Sequence, residues 1–295
     1  MSKPTLVFHP EYAPDGIPHF ARLAAVAARA AADDLGQFID APILDPGVLA
    51  GLHDDTYVDA FLRGIEPLAS SSHLRWSPAL RQACLRMLGG QLVAAQRARE
   101  DGVSFNLACG FHHAYPARGG GFCAINGLAL VAHHFPAWRV AVLDCDEHGG
   151  DGTEAFCGRL PNLQQFSIFG TRFGIRGGTR SRAFAVPRGE PHDADARFLE
   201  VVDQCLGELL ASELDLVIYQ AGMDSHVDDP KSSLKLSTQA IRQRDHRVFD
   251  ALYRAGLPVL VVLAGAYQRA DRVAELYAGT MRAARVSIRR PVQVC

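Results

Sequence analysis

From residue 103 onward, apolar runs of strand length alternate with stretches of helical spacing. Residues 103–108, 138–143, 163–169, 214–219 and 258–263 read as strands, and 126–134, 153–158, 194–210, 237–255 and 269–286 as the helices between and after them. The strands are almost continuously apolar. That pattern belongs to strands covered on both faces, and strand–helix alternation supplies the covering layers. The expected fold is therefore a three-layer α/β/α arrangement around a central, mainly parallel sheet. Upstream, residues 5–8 read as a first strand and 20–32 as an Ala-rich helix. Residues 48–64 read as two short helices around Asp54-Asp55, and 66–77 as a surface loop. Ser77-Pro78 opens a long helix to about Arg99, with Ser as N-cap and Pro in the first turn. With no linker, repeat or low-complexity tract, and 48% of 295 residues hydrophobic, one domain over 1–295 is expected.

Thirty basic side chains against thirty-two acidic ones give a formal charge of −2. That balance gives no electrostatic reason to expect nucleic acid or an anionic membrane as a partner. The seven cysteines are odd in number and free of CxxC spacing, so they read as reduced thiols in a cytoplasmic protein. The apolar run near Met1 is too short for a signal peptide, and no stretch approaches the ~20 apolar residues of a membrane span. The 66–77 loop offers a contact surface for a homo-oligomer.

In a parallel sheet of this kind, ligands sit beyond the carboxyl ends of the strands. Five strands here deliver chemistry to that edge: Gly110-Phe111-His112-His113, Asp144-Cys145-Asp146-Glu147-His148, Ser167-Ile168, Gly222-Met223-Asp224 and Ala264-Gly265-Ala266-Tyr267. Asp146 and His148 stand two apart, so in extended backbone their side chains point the same way. Asp224 is the best-placed third ligand. Two carboxylates and one imidazole suit a catalytic zinc, or another divalent metal such as ferrous iron. His112 and His113 suit general acid–base work if anionic partners fix their tautomers, and Asp144 and Asp151 are spare carboxylates for that purpose. His133-His134, late in a helix, reads as structural. Tyr267 is positioned to donate its hydroxyl to a developing oxyanion. Gly119-Gly120-Gly121 matches no phosphate-loop or dinucleotide pattern, and there is no Gly-x-Ser-x-Gly elbow.

Taken in order, several motifs make a set. They are His53-Asp54-x-x-Tyr57-Val58, Gly110-Phe111-His112-His113-Ala114 and Gly121-Phe122-Cys123-x-x-Asn126. Asp144-x-Asp146-x-His148-x-Gly150-Asp151-Gly152-Thr153 and Gly222-Met223-Asp224 with Asp229-Pro230 complete it. This set resembles the histone deacetylase superfamily, particularly bacterial histone-deacetylase-like and acetoin-utilisation-type amidohydrolases, over about residues 53–267. The resemblance implies the arginase/deacetylase-like form of the α/β fold and hydrolysis of an acyl-lysine-like or small N-acylated amine. It implies a catalytic Zn2+ on Asp146, His148 and Asp224. The tandem histidines His112 and His113 would be backed by Asp144 and Asp151 respectively, with Tyr267 as the oxyanion tyrosine. It also implies a structural K+ or Na+ near Asp144, Asp146, His148, Ser167 and Ile168, mostly through backbone carbonyls. Gly121 and Phe122 would line the tunnel that grips the acylated chain, with Phe169 or Phe173 as a second aromatic.

Several positions depart from the family pattern. Gly149 follows His148, Gly127 follows Asn126, Ala-Gly-Ala precedes Tyr267, and Lys231-Ser232-Ser233 follows Asp229-Pro230 where Leu-Gly-Gly is usual. Residues 169–191 do not align, and no rim Asp for holding a peptide backbone is identified. Two other readings compete. An arginase-type ureohydrolase with two manganese ions needs Asp-x-His-x-Asp and Asp-x-Asp elements, whereas here the order is Asp-x-Asp-x-His with Gly150 two residues on, and Asp224-Ser225-His226 lacks the second Asp at that spacing. A non-catalytic acyl-lysine binder would retain the pocket without needing the full set of His and Tyr residues.

Overall fold

The structure, a computed structural model, describes residues 3–289, with side chains described up to Val286. One eight-stranded sheet runs through it. Its strands are β1 (Thr5–Val7), β2 (Gln37–Ile39), β3 (Val103–Cys109), β4 (Val140–Asp144), β5 (Leu163–Phe169), β6 (Ser181–Ala185), β7 (Leu216–Ala221) and β8 (Val259–Leu263). The order across the sheet is β2-β1-β3-β8-β7-β4-β5-β6, and every neighbouring pair is parallel. The helices are α1 (Pro18–Ala32), α2 (Asp55–Arg63), α3 (Pro78–Asp101), α4 (Gly127–His134), α5 (Asp151–Cys157), α6 (Ala194–Leu210), α7 (Thr238–Arg254) and α8 (Ala270–Arg289). α1, α8, α7 and α6 pack in succession, and α3, α4 and α5 form a second succession. The α/β reading from sequence therefore stands, with the sheet entirely parallel among the described strands.

Central strands are buried end to end. All residues of β3, β4, β7 and β8 are inaccessible, which is why their sequences carry no alternation. The two strands that sequence reading missed, β2 and β6, are the sheet's edges. β2 has three residues and leaves Phe38 exposed, while β6 buries only Ser181 and Phe184, three apart, and exposes Arg182 and Ala185. Short, half-solvated segments like these offer too little apolar pattern to be read as strands. Strands expected at 138–143 and 214–219 lie two residues further on at one or both ends, so that Asp144 and Ala221 close them. The helix opened by Ser77-Pro78 forms as expected, with Ser77 Oγ accepting from the Leu80 amide at 3.1 Å. Of the cysteines, Cys84, Cys109, Cys123, Cys145, Cys157 and Cys205 are free and buried. Cys295 lies outside the described residues. Among the described residues, no helix is long and apolar enough to cross a membrane.

One irregularity shapes the site. The β3–β8 register shifts between Asn106 and Cys109, so β3 carries extra residues opposite Val262–Leu263. A bulge of this kind bends a strand and re-aims the backbone beyond it. The re-aimed segment is Gly110-Phe111-His112-His113, with Phe111 at a left-handed φ of 64°.

Candidate metal centre

Asp146 and His148 leave the end of β4, and Asp224 comes just after the end of β7, the adjacent strand. The three side chains each present a ligand atom, and these atoms lie within 4.8 Å of one another. His148 Nδ1 faces Asp146 Oδ1 at 3.2 Å and Asp224 Oδ2 at 3.1 Å. Asp146 and Asp224 are buried, and neither forms an ion pair with Lys or Arg among the described residues. Burial, and then repulsion from Asp146, push the Asp224 carboxyl well above its ordinary range. Two buried carboxylates and one imidazole converging without a cationic side chain fit a divalent cation.

The cradle is built of backbone. The Gly265 amide donates to Asp146 Oδ2 at 2.6 Å, and the Glu147 amide to Asp224 Oδ1 at 2.9 Å. The Met223 amide donates to Gly265 O at 2.7 Å, which ties the loops after β7 and β8 together. Gly265 has to be glycine. A Cβ there would stand 2.0 Å from Asp224 Oδ2 and 2.7 Å from Asp146 Oδ2. The Ala-Gly-Ala variation in this chain therefore keeps the one glycine the cradle needs.

The tandem histidines sit beside this group. Nδ1 of His112 donates to Asp144 Oδ2 and Nδ1 of His113 to Asp151 Oδ1, each at 2.7 Å. These bonds leave both Nε2 atoms directed away from Asp144 and Asp151, and His112 Nε2 comes within 3.9 Å of Asp146 Oδ1. The ring centroids are 3.9 Å apart. Asp144 also accepts from the Gln220 side chain at 3.1 Å, and Asp151 from the Tyr115 hydroxyl at 2.6 Å. The two rings titrate apart. Burial works against charge on His112, but Asp144 and Asp146 outweigh it and raise its pKa to about 9. Burial, and then the neighbouring His112, lower His113 to about 4. A dication among the carboxylates would push His112 down as well.

Tyr267 lines the same narrow cleft, which His112, His113, Gly121, Phe122 and Asp146 also border. Its amide donates to Asp229 Oδ2 at 2.7 Å. Burial, and then Asp146 and Asp224, push its phenol far up, so the hydroxyl keeps its proton and is a donor. Gly121 has φ +47°, and a Cβ there would stand 2.3 Å from His113 Cδ2. Phe122 lies over His19 at 4.7 Å between centroids and 6.2 Å from Tyr267. Phe173 faces His113 at 4.1 Å and is 45% exposed, whereas Phe169 is buried. Of the two candidates for a second wall aromatic, only Phe173 stands at the opening. Ser167 and Ile168 are buried on β5, and Ser167 pairs in register with Asp144. His133 caps the Ala50 carbonyl at 3.1 Å, away from this cleft, as a structural histidine would.

Several neighbours had no signal in the sequence. His19 and Arg22 reach the cleft from α1, a helix remote in sequence and not at a strand end. Arg22 donates to Ala264 O at 3.2 Å. His19 is driven down to about 3 by burial, then by Arg22 and Lys231, so it is neutral. A roomier groove of about 470 Å³ lies at the opposite, amino-terminal end of β3 and β8, lined by Val103, Phe249 and Leu257. It contains none of the metal-ligating, histidine or tyrosine residues of the cleft.

The family model described as "Histone deacetylase domain" matches residues 19–284. The chain belongs to the histone deacetylase family. An uncharacterized protein of Picosynechococcus sp. is 30% identical over 279 residues, which cover 90% of this chain and 92% of that one. Histone deacetylase 2 of Arabidopsis thaliana is 30% identical, covering 63% of this chain and 50% of that one. Acetylpolyamine amidohydrolase of Burkholderia pseudomallei is 32% identical, covering 60% of this chain and 55% of that one. The matches thus span about half the length of these two named relatives. In three dimensions the chain is similar to the crystal structure of acetylpolyamine aminohydrolase from Burkholderia pseudomallei, at TM-score 0.79 and 20% identity, covering 97% of this chain and 99% of that one. That similarity carries the fold.

Within the histone deacetylase fold, the Lys231-Ser232-Ser233 departure from the family pattern meets the ligand loop. Glu147 is buried between Asp146 and His148. Its Oε1 accepts from the Ser233 hydroxyl, from the Ser233 amide at 3.2 Å and from the Thr171 hydroxyl at 3.2 Å. The Lys231-Ser232-Ser233 segment is thereby anchored directly to the loop that carries the candidate ligands.

Proposed function

We propose that this chain is a single-metal deacylase that hydrolyses the amide of an acyl-lysine-like or small N-acylated amine. The observation that carries the reading is the convergence of Asp146, His148 and Asp224 beside two His–Asp pairs in one cleft. The donor set fits Zn2+, with Fe2+ as the alternative. When bound, such a cation polarises a carbonyl and lowers the pKa of a water. His113, kept neutral by burial and by His112, is suited to take a proton at Nε2 and return it to the leaving nitrogen. Asp151 holds its tautomer, and Tyr115 holds Asp151. His112, oriented by its bond to Asp144, presents its Nε2 at the same spot for a hydrogen bond or proton exchange. Tyr267 donates to the oxygen that becomes negative, and Phe122 and Phe173 hold the acylated chain. Asp144, Asp146, His148, Ser167 and Ile168 remain the candidates for a structural K+ or Na+. One sheet and one continuous hydrophobic cluster support a single catalytic domain, and buried free thiols accord with a cytoplasmic setting.

The two-metal arginase reading has less support. Asp144 is engaged by His112, and His226, two residues after Asp224, turns to the Thr238 hydroxyl at 2.8 Å. Among the described residues, a single group of three ligands stands out. The binder reading is separated from the deacylase by Tyr267→Phe. This variant removes one oxygen and should lower kcat on an acetamide substrate by roughly 10²–10³ while leaving the metal content unchanged. Turnover near the parent level would remove Tyr267 from the mechanism.

A further inference from the structure

Lys231 stands over two rings that line the cleft, and Arg118 and Arg172 lie close in sequence to its wall residues; none of the three has a carboxylate partner among the described residues. Lys231 is exposed, and its Nζ stands 4.8 Å from the Tyr267 ring centroid and 5.5 Å from that of Phe122. Among the described residues it forms no ion pair. The two nearby carboxylates in its own loop are occupied. Asp228 pairs with Arg272 at 2.9 Å, and buried Asp229 accepts from the amides of Lys231 at 2.8 Å and Tyr267 at 2.7 Å. Arg118 lies over the Tyr115 ring at 4.5 Å and donates to Gly119 O at 3.2 Å, beside the glycine run that leads to Phe122. Arg172, which precedes Phe173, lies over the Phe169 ring at 5.5 Å and donates to Ile175 O at 3.1 Å. Neither arginine forms an ion pair among the described residues.

The backbone that carries Lys231 is held in place. Asp229 fixes its amide, and Glu147 fixes Ser233 two residues on. An exposed ammonium lying over two ring faces keeps part of its hydration and lacks a counter-ion. It attracts an anionic group at the outer end of whatever chain lies between Phe122 and Phe173, and repels a cationic one. We infer that the natural substrate carries a carboxylate at the end of its chain remote from the amide, as in an N-acylated ω-amino acid, with Lys231 as the residue that selects it. This inference rests on the deacylase reading. Hydrolysis then adds water across the amide C–N bond and gives the free acylate and the ω-amino acid. N-acylated polyamines and acylated basic peptide tails present the opposite charge at this opening and are disfavoured.

The test uses three acetamides of equal chain length that end in a carboxylate, a hydroxyl or an ammonium. Turnover is measured on the metal-loaded protein, and binding of the same compounds by calorimetry. The acid should exceed the ammonium compound in kcat/KM by about tenfold, and added salt should shrink that ratio. Lys231→Gln should bring the acid-to-alcohol ratio close to one, and Lys231→Glu should reverse the order of acid and ammonium compounds. Equal use of the three, or preference for the ammonium compound, overturns the inference while leaving the deacylase reading intact. Lys231-dependent preference for the acid in binding, with no turnover of any compound, sustains Lys231 as the selector of a carboxylate-ended ligand but overturns the deacylase reading, and with it the claim that this ligand is a substrate. Absence of that preference in both turnover and binding overturns the inference.

Discussion

Asp224→Asn is expected to give a folded protein that binds no stoichiometric metal and hydrolyses acetamides at the background rate. Asparagine matches aspartate in shape, and the Glu147 amide can still donate to its carbonyl oxygen, as it now does to Oδ1 at 2.9 Å. The change falls on Oδ2, which faces His148 Nδ1 at 3.1 Å. An amide at that position brings either a neutral, weaker oxygen or an N–H donor aimed at the cation. One of two buried negative charges is lost with it, and those charges are what makes a cation favourable there. A fall in turnover of more than about 10³ is expected, because both polarisation of the carbonyl and activation of water depend on the cation. Metal analysis and turnover on the same sample check this, with the melting temperature as the control for folding. Asparagine keeps the shape of the side chain and the bond from the Glu147 amide, so the metal-free variant should still unfold in one cooperative transition, as the metal-free parent does. A variant that keeps both metal and activity would exclude Asp224 as a ligand.

His113→Gln is expected to separate proton transfer from metal binding. His113 lies 4.1 Å from Phe173 at the opening, with Nδ1 bound to Asp151 at 2.7 Å. Its remaining nitrogen is thereby the one free to exchange a proton, and the low pKa keeps that nitrogen unprotonated at neutral pH. Glutamine preserves a donor for Asp151 but has no basic atom. Loss of a positioned general acid–base group costs roughly 10²–10⁴ in rate. The metal content should stay at the parent level, because the ligand atoms lie on the loops after β4 and β7. The ratio of the two losses carries the information. A variant inactive only because it has lost metal would place His113 in the cradle and leave proton transfer to His112.

The sequence made much of this legible because the site sits where parallel sheets put sites. Asp146, His148, Asp224, His112 and Tyr267 all come after buried strands, so their apolar runs announce them. The His–Asp pairings could be proposed because Asp144 and Asp151 stand in the ligand loop itself, and the structure brings each to 2.7 Å from its histidine. Other parts of the site arrive by routes the sequence hides. His19 and Arg22 lie on α1, whose sequence reads simply as an Ala-rich amphipathic helix, and only its packing against α8 and β3 brings them to the cleft. Phe173 sits in an irregular loop with a left-handed φ of 48°, a conformation that no periodicity encodes. Glu147 points toward Ser233, a residue eighty-six positions away, and a contact of that range leaves no local trace. The edge strands β2 and β6 escaped for a related reason: no residue of β2 and only two of the five in β6 are buried, and their pairing is written in their partners.

The most direct test of the single-metal account is reconstitution. Protein stripped with a chelator should be inactive on an acetamide substrate, and zinc titrated back should restore turnover linearly up to one ion per chain and no further. Recovery that requires two manganese ions per chain, or turnover that persists in the stripped protein, would contradict it.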